Sequence, residues 1–451
     1  MSHNNSFFFL FSVSPQMRAL APPPGAQRSV AGPLLPMRGG GGGGGGVSST
    51  RCHAAPPPQF TLGPTNPLSF SRLVALAPAP DFRAAATLAT LPWADPPDGH
   101  VTVRITYAGV NGGCETFRVR GEPGTAFAKN ARASAAEPIS LGAEGVGLVA
   151  AVGPGVTSLA VGDAVAVSSA NAFAEFVTAP AARCARLPPG LGGASPAAVA
   201  LTLSGLTAAV ALGTCGVAAG QAGLSPADAV LVTAASGGTG HLAAQLAAAS
   251  GAAVFATTGG PAKANALRAL LAPWPRARVI DYTAEDVEDV LRRECPAPGL
   301  TVAYEGVGGA ARDAAIAALA PGGRVLAVGH ISEYPNAAPP RLGAAARGAP
   351  AQPGARPLPP AHDTFWGGRE VDLGEGRTLY GNVWGGADAL GVARARRAVF
   401  SAYAQGTLRV LIDGASGEVD TPYVGLGAAA DGVERLMGGE SVGKVVLRVW
   451  R

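Results

Sequence analysis

The first 80 residues contain no aspartate or glutamate, where the chain's overall acid frequency would place roughly five. Five arginines and no lysine fall at or before Arg72, so this segment accounts for the formal net charge of +4 on 451 residues. The remainder is close to neutral, which argues against nucleic acid as a partner. An acid-free segment rich in Ser, Ala and Arg reads as an organelle transit peptide over residues 1–70, with a disordered Ala/Gly-rich tail as the alternative. "VSSTRC" and the lack of a clean amphipathic helix favour a plastid, with the mitochondrion second. Pro15, soon after "SFFFLFSV", argues against a secretory signal, and the eight glycines at 39–46 are low-complexity linker.

Charge is scarce elsewhere too, at 14% of residues, and 187–227 has none. That stretch is long enough for a membrane span, but Pro188, Pro189, Pro196 and several Gly, Ser and Thr interrupt it. Two packed interior helices are the better reading. The five cysteines, at 52, 114, 184, 215 and 295, include no C-x-x-C pair, which excludes a disulfide framework and a structural zinc lobe.

What is present is a strand, a glycine cluster and a helix in unbroken succession, "VLVTAASGGTGHLAAQLA" at 230–247. Gly237, Gly238 and Gly240, with Ser236 and Thr239, form an A-x-G-x-x-G turn that leaves amides free at a helix N-terminus, where the dipole favours an anion. Such a turn is weak evidence alone. Its context strengthens it: apolar runs at "AAVFATT", "ARVIDYT", "LTVAYEGVG" and "GRVLAVGH" alternate with helical segments, as in a parallel sheet covered on both faces. After the second run, where an NAD site places a carboxylate, the chain reads "ATTGGPAK". Thr257, Thr258 and Lys263 there point to NADPH through its 2′-phosphate, although Lys263 also suits a solvated helix face.

Earlier, "HVTVRITYAGVN" and "AEGVGLVAAVGPGVTSLAVGDAVAV" suggest a small β-barrel-like domain. Residues 336–378, dominated by Pro, Ala, Gly and Arg, read as a long insertion. Beyond it, "LYGNVW" suggests a strand, and "GVERLMGGESVGKVVLRVW" a helix, a glycine turn and a terminal strand.

From Ser71 to Arg451 the chain resembles the medium-chain dehydrogenase/reductases of the quinone-oxidoreductase branch. "NGGCETFRVRG", "FAEFVTAP", "LSGLTAAVAL", "VLVTAASGGTGHLAAQLA", "VIDYT", "AYEGVGG" and "GESVGKVVL" arrive in the family's order, and "VGHISEY" resembles the prostaglandin-reductase-3 subgroup. The resemblance implies an α/β fold: a GroES-like catalytic domain from 71–205 and 391–451 around a Rossmann domain at 206–390. It also implies a homodimer, NADPH in the cleft, and reduction of the C=C bond of enones and alkenals, or of quinones. Zinc relatives carry a cysteine where this chain has Asn111 and Gly-His-Glu where it has Gly142-Ala143-Glu144, so no metal is expected.

Conjugate reduction needs a donor for the enolate oxygen. By resemblance that donor is Tyr334, which reads otherwise as a loop tyrosine. Asn111 either orients the substrate carbonyl or makes a local hydrogen bond. Thr239, Lys263, Tyr282, Gly306, Ile331 and Ser441 line the nucleotide site by resemblance, with Ser441 replacing a family asparagine. Cys114 departs from an acidic residue of the subgroup and reads as a packed thiol. His330 reads as a cofactor wall rather than an acid/base, and Asp281 and Glu305 as structural. A non-catalytic NADPH-binding scaffold is the competing reading from another class.

Overall fold

The computed structural model describes residues 67–120, 138–216, 223–335, 370–381, 383–384, 387–416 and 420–450. The leader 1–66 lies outside them, as do residues 336–369. The chain opens with a small antiparallel sheet of β1 (Ser69–Ala75), β2 (Ala86–Pro92) and a two-residue β4 (Ile139–Ser140). The catalytic sheet is built on β3 (His100–Gly109), which pairs antiparallel with β5 (Glu144–Val152) and with β7 (Phe176–Pro180). β6 (Ala164–Ser168) and β8 (Cys184–Arg186) extend it on one side.

The second sheet is the expected parallel one. β9 (Ala229–Val232), β10 (Ala253–Thr258), β11 (Ala277–Asp281), β12 (Leu300–Glu305) and β13 (Leu319–Ala327) run parallel in the order β11-β10-β9-β12-β13. All residues of β9 and β10 are buried, because helices cover both faces. The sheet continues through β15 (Arg377–Tyr380) to an edge strand, β14 (Glu370–Gly374). The insertion read over 336–378 is therefore corrected at its C-terminal end, where 370–378 belongs to the sheet. Its composition hid a period-two pattern: Val371 and Leu373 pack with buried Leu379, and a turn at Gly374, Glu375 and Gly376, all with positive φ, closes the hairpin. The strand suggested at "LYGNVW" ends at Tyr380.

The uncharged stretch is corrected as well. Among its described residues, after a short 3-10 turn at Pro189–Leu191, it holds one continuous helical run, Pro196–Gly213, 67% buried, with a π turn at Leu201–Gly205. Ser195 caps it through the Ala198 amide, Pro196 fits its first turn, and Thr202 Oγ1 bonds back to Ala198 O at 2.7 Å. The Thr202 hydroxyl, which looked like an interruption, is thus satisfied within the helix. This helix joins the two domains: Leu201 and Leu212 lie in one apolar cluster with Tyr107 and Val146 of the catalytic sheet, Val230 of the parallel sheet and Leu242 of the helix that follows β9. The chain then returns to the catalytic domain, adding β16 (Tyr423–Val424) and β17 (Val446–Arg448) beside β3. That return carries C-terminal residues across the face of the glycine turn.

Candidate active site

The turn after β9 bends most sharply at Ala234, a non-glycine residue with φ +46°. Gly237 N donates back to Ala234 O at 2.9 Å, and Gly240, which opens the helix Gly240–Ala249, packs its Cα against the Ala234 carbonyl. The amides of Gly238 and Thr239 have no acceptor among the described residues. Two free donors at the positive end of a helix fit a pyrophosphate. Ser236 and Thr258 do not reach the site surface. They are 4% and 1% exposed, and their hydroxyls bond each other at 2.6 Å, which ties the turn to the end of β10. Thr258 as a 2′-phosphate contact is corrected accordingly, and Thr257 is buried too.

Lys263, in the first turn of the helix Pro261–Leu271, reaches across to Gly439 O at 2.5 Å. The phenol of Tyr282 abuts Gly259, on the loop that leads into the same helix. Asp281 accepts from Gly260 N and Thr283, and Glu305 from the amides of Val307 and Gly308, so both carboxylates brace loops. Gly306 N is held by Thr233 Oγ1 at 2.9 Å, and Ile331 N bonds Gly306 O, which sets one wall of the cleft. Ser441 sits in the turn before Val442, whose amide bonds Asp413.

A clamp missing from the sequence reading holds the glycine turn from behind. Gly443 bridges to Gly237, and its amide donates to Ser236 O at 2.7 Å. His241, fully buried, sees Gly237 O at 2.8 Å from Nδ1 and accepts the Leu411 amide at Nε2. These two contacts fix the neutral tautomer with Nδ1 protonated. Burial, aided by the Lys444 charge and opposed by the Gly237 bond, pushes its pKa down to about 4. Between that value and about 6.5 the unfolded chain binds more protons, so stability is full above the upper value and falls by about 3 kcal/mol as pH approaches the lower. Urea unfolding at about pH 7 and about pH 4.5 checks this, and a His241→Gln variant is expected to lose that part of the slope.

On the catalytic side, Asn111 precedes the helix Gly112–Arg120. Its Nδ2 donates to Glu144 Oε1 at 2.9 Å and to Gly109 O at 3.3 Å, while its Oδ1 accepts from Lys444 Nζ at 2.7 Å. Lys444 also pairs with Glu144 at 2.7 Å, the two side chains being 3% and 0% exposed. With both Nδ2 hydrogens engaged, Asn111 has none left for a substrate carbonyl, which corrects that expectation in favour of the local bond. The donor set does not fit zinc: the point on which Asn111 and Glu144 converge is filled by an ammonium group. Burial pushes the Cys114 thiol up to about 12.

Tyr334 follows the short turn Ile331–Glu333 and stands edge-on to Phe117 at 5.0 Å and His330 at 4.6 Å. His330, fully buried, stacks on Phe117 at 5.8 Å. The Tyr334 hydroxyl rests on the backbone of Gly113, where a Cβ would lie 2.8 Å away. Burial raises its pKa, so it is a neutral donor at physiological pH. Pro335, the next residue, lines a cavity of about 260 Å³ with Phe82, Thr116, Val433 and Met437 and with the charged Asp81, Arg83 and Glu434. Tyr334 thus meets the N-terminal end of the Asn111 helix across the domain boundary.

Two families match this chain, the alcohol dehydrogenase GroES-like domain over 97–200 and the zinc-binding dehydrogenase over 238–344. A probable quinone oxidoreductase of Leishmania amazonensis is 35% identical over 273 residues, covering 60% of this chain and 73% of that protein. The chain belongs to the medium-chain dehydrogenase/reductase superfamily, quinone-oxidoreductase branch. Prostaglandin reductase-3 of Bos taurus is 38% identical over 275 residues, 60% of this chain and 66% of that protein. The Escherichia coli quinone oxidoreductase complexed with NADPH shares the fold, with TM-score 0.62 and 22% identity over 84% of this chain and 99% of its own. This medium-chain reductase is accordingly an oxidoreductase, with a GroES-like domain and a Rossmann domain. The lysine that fills its polar centre lies within the terminal "GKVVL".

Proposed function

We propose that this oxidoreductase reduces the C=C bond of α,β-unsaturated ketones and aldehydes at the expense of NADPH. The carrying observation is the neutral Tyr334 hydroxyl, seated on Gly113 at the domain boundary. NADPH, when bound, supplies a hydride to the β-carbon. Tyr334 hydrogen-bonds the carbonyl oxygen as it gains charge, and a proton from solvent completes the α-carbon. The free amides of Gly238 and Thr239 hold the pyrophosphate, and Lys263 and Tyr282 flank the 2′-phosphate. Similarity to prostaglandin reductase-3 supports the enone class, and similarity to a probable quinone oxidoreductase supports quinones as a second reading. The acid-free leader supports an organelle, plastid before mitochondrion, and the resemblance supports a homodimer.

NADPH oxidation by the purified full chain against alkenals, small and long enones, and quinones tests the reading. Turnover of enones is expected. Turnover of quinones alone would move the assignment to quinone reduction, and tight NADPH binding without any turnover would leave a scaffold. In the same assay Lys263→Ala is expected to weaken NADPH about tenfold and leave NADH unchanged, as loss of one charge-assisted bond to phosphate requires. Equal losses for the two cofactors would remove Lys263 from the 2′-phosphate.

A further inference from the structure

One side chain touches both halves of the site. Lys444 follows Gly443, the residue bridged to Gly237, and its Cδ packs over Gly238, where a Cβ would stand 3.1 Å away. Its backbone is fixed by Lys444 N to Leu411 O at 2.8 Å and Asp413 N to Lys444 O at 3.0 Å. Its ammonium, 3% exposed, ends between Asn111 Oδ1 and Glu144 Oε1 at 2.7 Å from each. A displacement of the glycine turn is therefore transmitted through one buried chain to the residue that opens the Gly112–Arg120 helix. That helix carries Gly113, the seat of the Tyr334 hydroxyl, and Phe117, the wall of its ring. Asn111 O in turn accepts the Glu115 amide, so the carboxamide and the first helical turn move together.

We infer that Lys444 is a positioning residue that couples occupancy of the glycine turn to the setting of Asn111 and, through the helix it opens, to the seat of Tyr334. The inference rests on the reading that the turn holds the pyrophosphate of NADPH. No atom of Lys444 needs to touch the substrate. Buried and paired on the catalytic side while packed on the nucleotide side, it acts as a strut with two fixed ends.

The test is the pair Lys444→Met/Glu144→Gln, which removes both charges at nearly constant volume and still offers Asn111 Nδ2 an acceptor. Amide hydrogen exchange across 111–120 is followed with and without NADPH, alongside NADPH affinity by fluorescence titration and kcat with the best acceptor. In the wild type, NADPH is expected to slow exchange across 111–120. In the double variant, NADPH affinity stays within about threefold, the exchange response disappears, and kcat falls about tenfold or more while acceptor KM changes little. A purely structural role would lower the midpoint of unfolding and leave the exchange response of the folded protein in place. A wild type that binds NADPH without altering 111–120, or a variant that keeps the response and its kcat, overturns the coupling alone. A wild type that does not bind NADPH overturns the reading of the turn, and the coupling with it.

Discussion

Tyr334→Phe is expected to lower kcat for enone reduction by about two orders of magnitude with little change in acceptor KM, the size seen when one oxyanion donor is removed. The ring is held independently of its hydroxyl, edge-on to Phe117 and His330, so the variant deletes the donor and leaves the wall standing. Gly113→Ala makes the complementary change. Its Cβ would lie 2.8 Å from the hydroxyl and 3.2 Å from the ring carbon that bears it, so the phenol must shift although its chemistry is intact. A loss of kcat is expected there too, now with a raised acceptor KM, because the hydroxyl is displaced from the position that orients the carbonyl. Steady-state kinetics with one enone and one quinone decide the matter. If Tyr334→Phe reduces enones at the wild-type rate, the donor is another group; if only the quinone rate survives, electron delivery is intact and the loss is confined to the enolate step.

The parts of this architecture that were legible in the sequence are those with local causes. The glycine turn, the helix 240–249 and the parallel strands follow from short-range periodicity and from glycines where the backbone must turn, and those elements fall where that pattern places them. The hairpin at 370–380 was missed because composition averaged over 336–378 swamped a period-two signal only a few residues long. The single helix Pro196–Gly213 was missed because Ser and Thr were counted as interruptions, whereas Thr202 satisfies itself on Ala198 O. The site shows the same division. Lys263 was singled out from its place after the second strand, whereas Tyr282 and Gly306 were named by resemblance alone. The Lys444 centre joins residues more than three hundred positions apart, so no local pattern reveals it. Thr258 was misread for the opposite reason: at the right place in sequence, its side chain turns inward to Ser236.

The clamp behind the glycine turn can be tested by two nearby glycines that both have positive φ but differ in their surroundings. Gly439 and Gly443 have φ of +64° and +83°, so alanine is strained at both. Around Gly439 nothing lies within 4 Å of an added Cβ, whereas at Gly443 that atom falls inside the Leu411 carbonyl group. The left-handed conformation alone costs about 1–2 kcal/mol, which is the expected loss for Gly439→Ala. Gly443→Ala adds a backbone clash that no rotamer relieves, so its loss is expected to reach about 3–5 kcal/mol. Relief would require the Gly443 strand to move off Leu411, which breaks its bond to Ser236 O and releases the turn that the Gly237 bridge holds. NADPH binding is therefore expected to weaken steeply in Gly443→Ala and hardly at all in Gly439→Ala. Urea unfolding and NADPH titration of the two variants measure both quantities. Equal stability losses would mean that the C-terminal strand does not press on Leu411, and unequal stability with equal NADPH affinity would mean that the clamp stabilises the fold without shaping the turn.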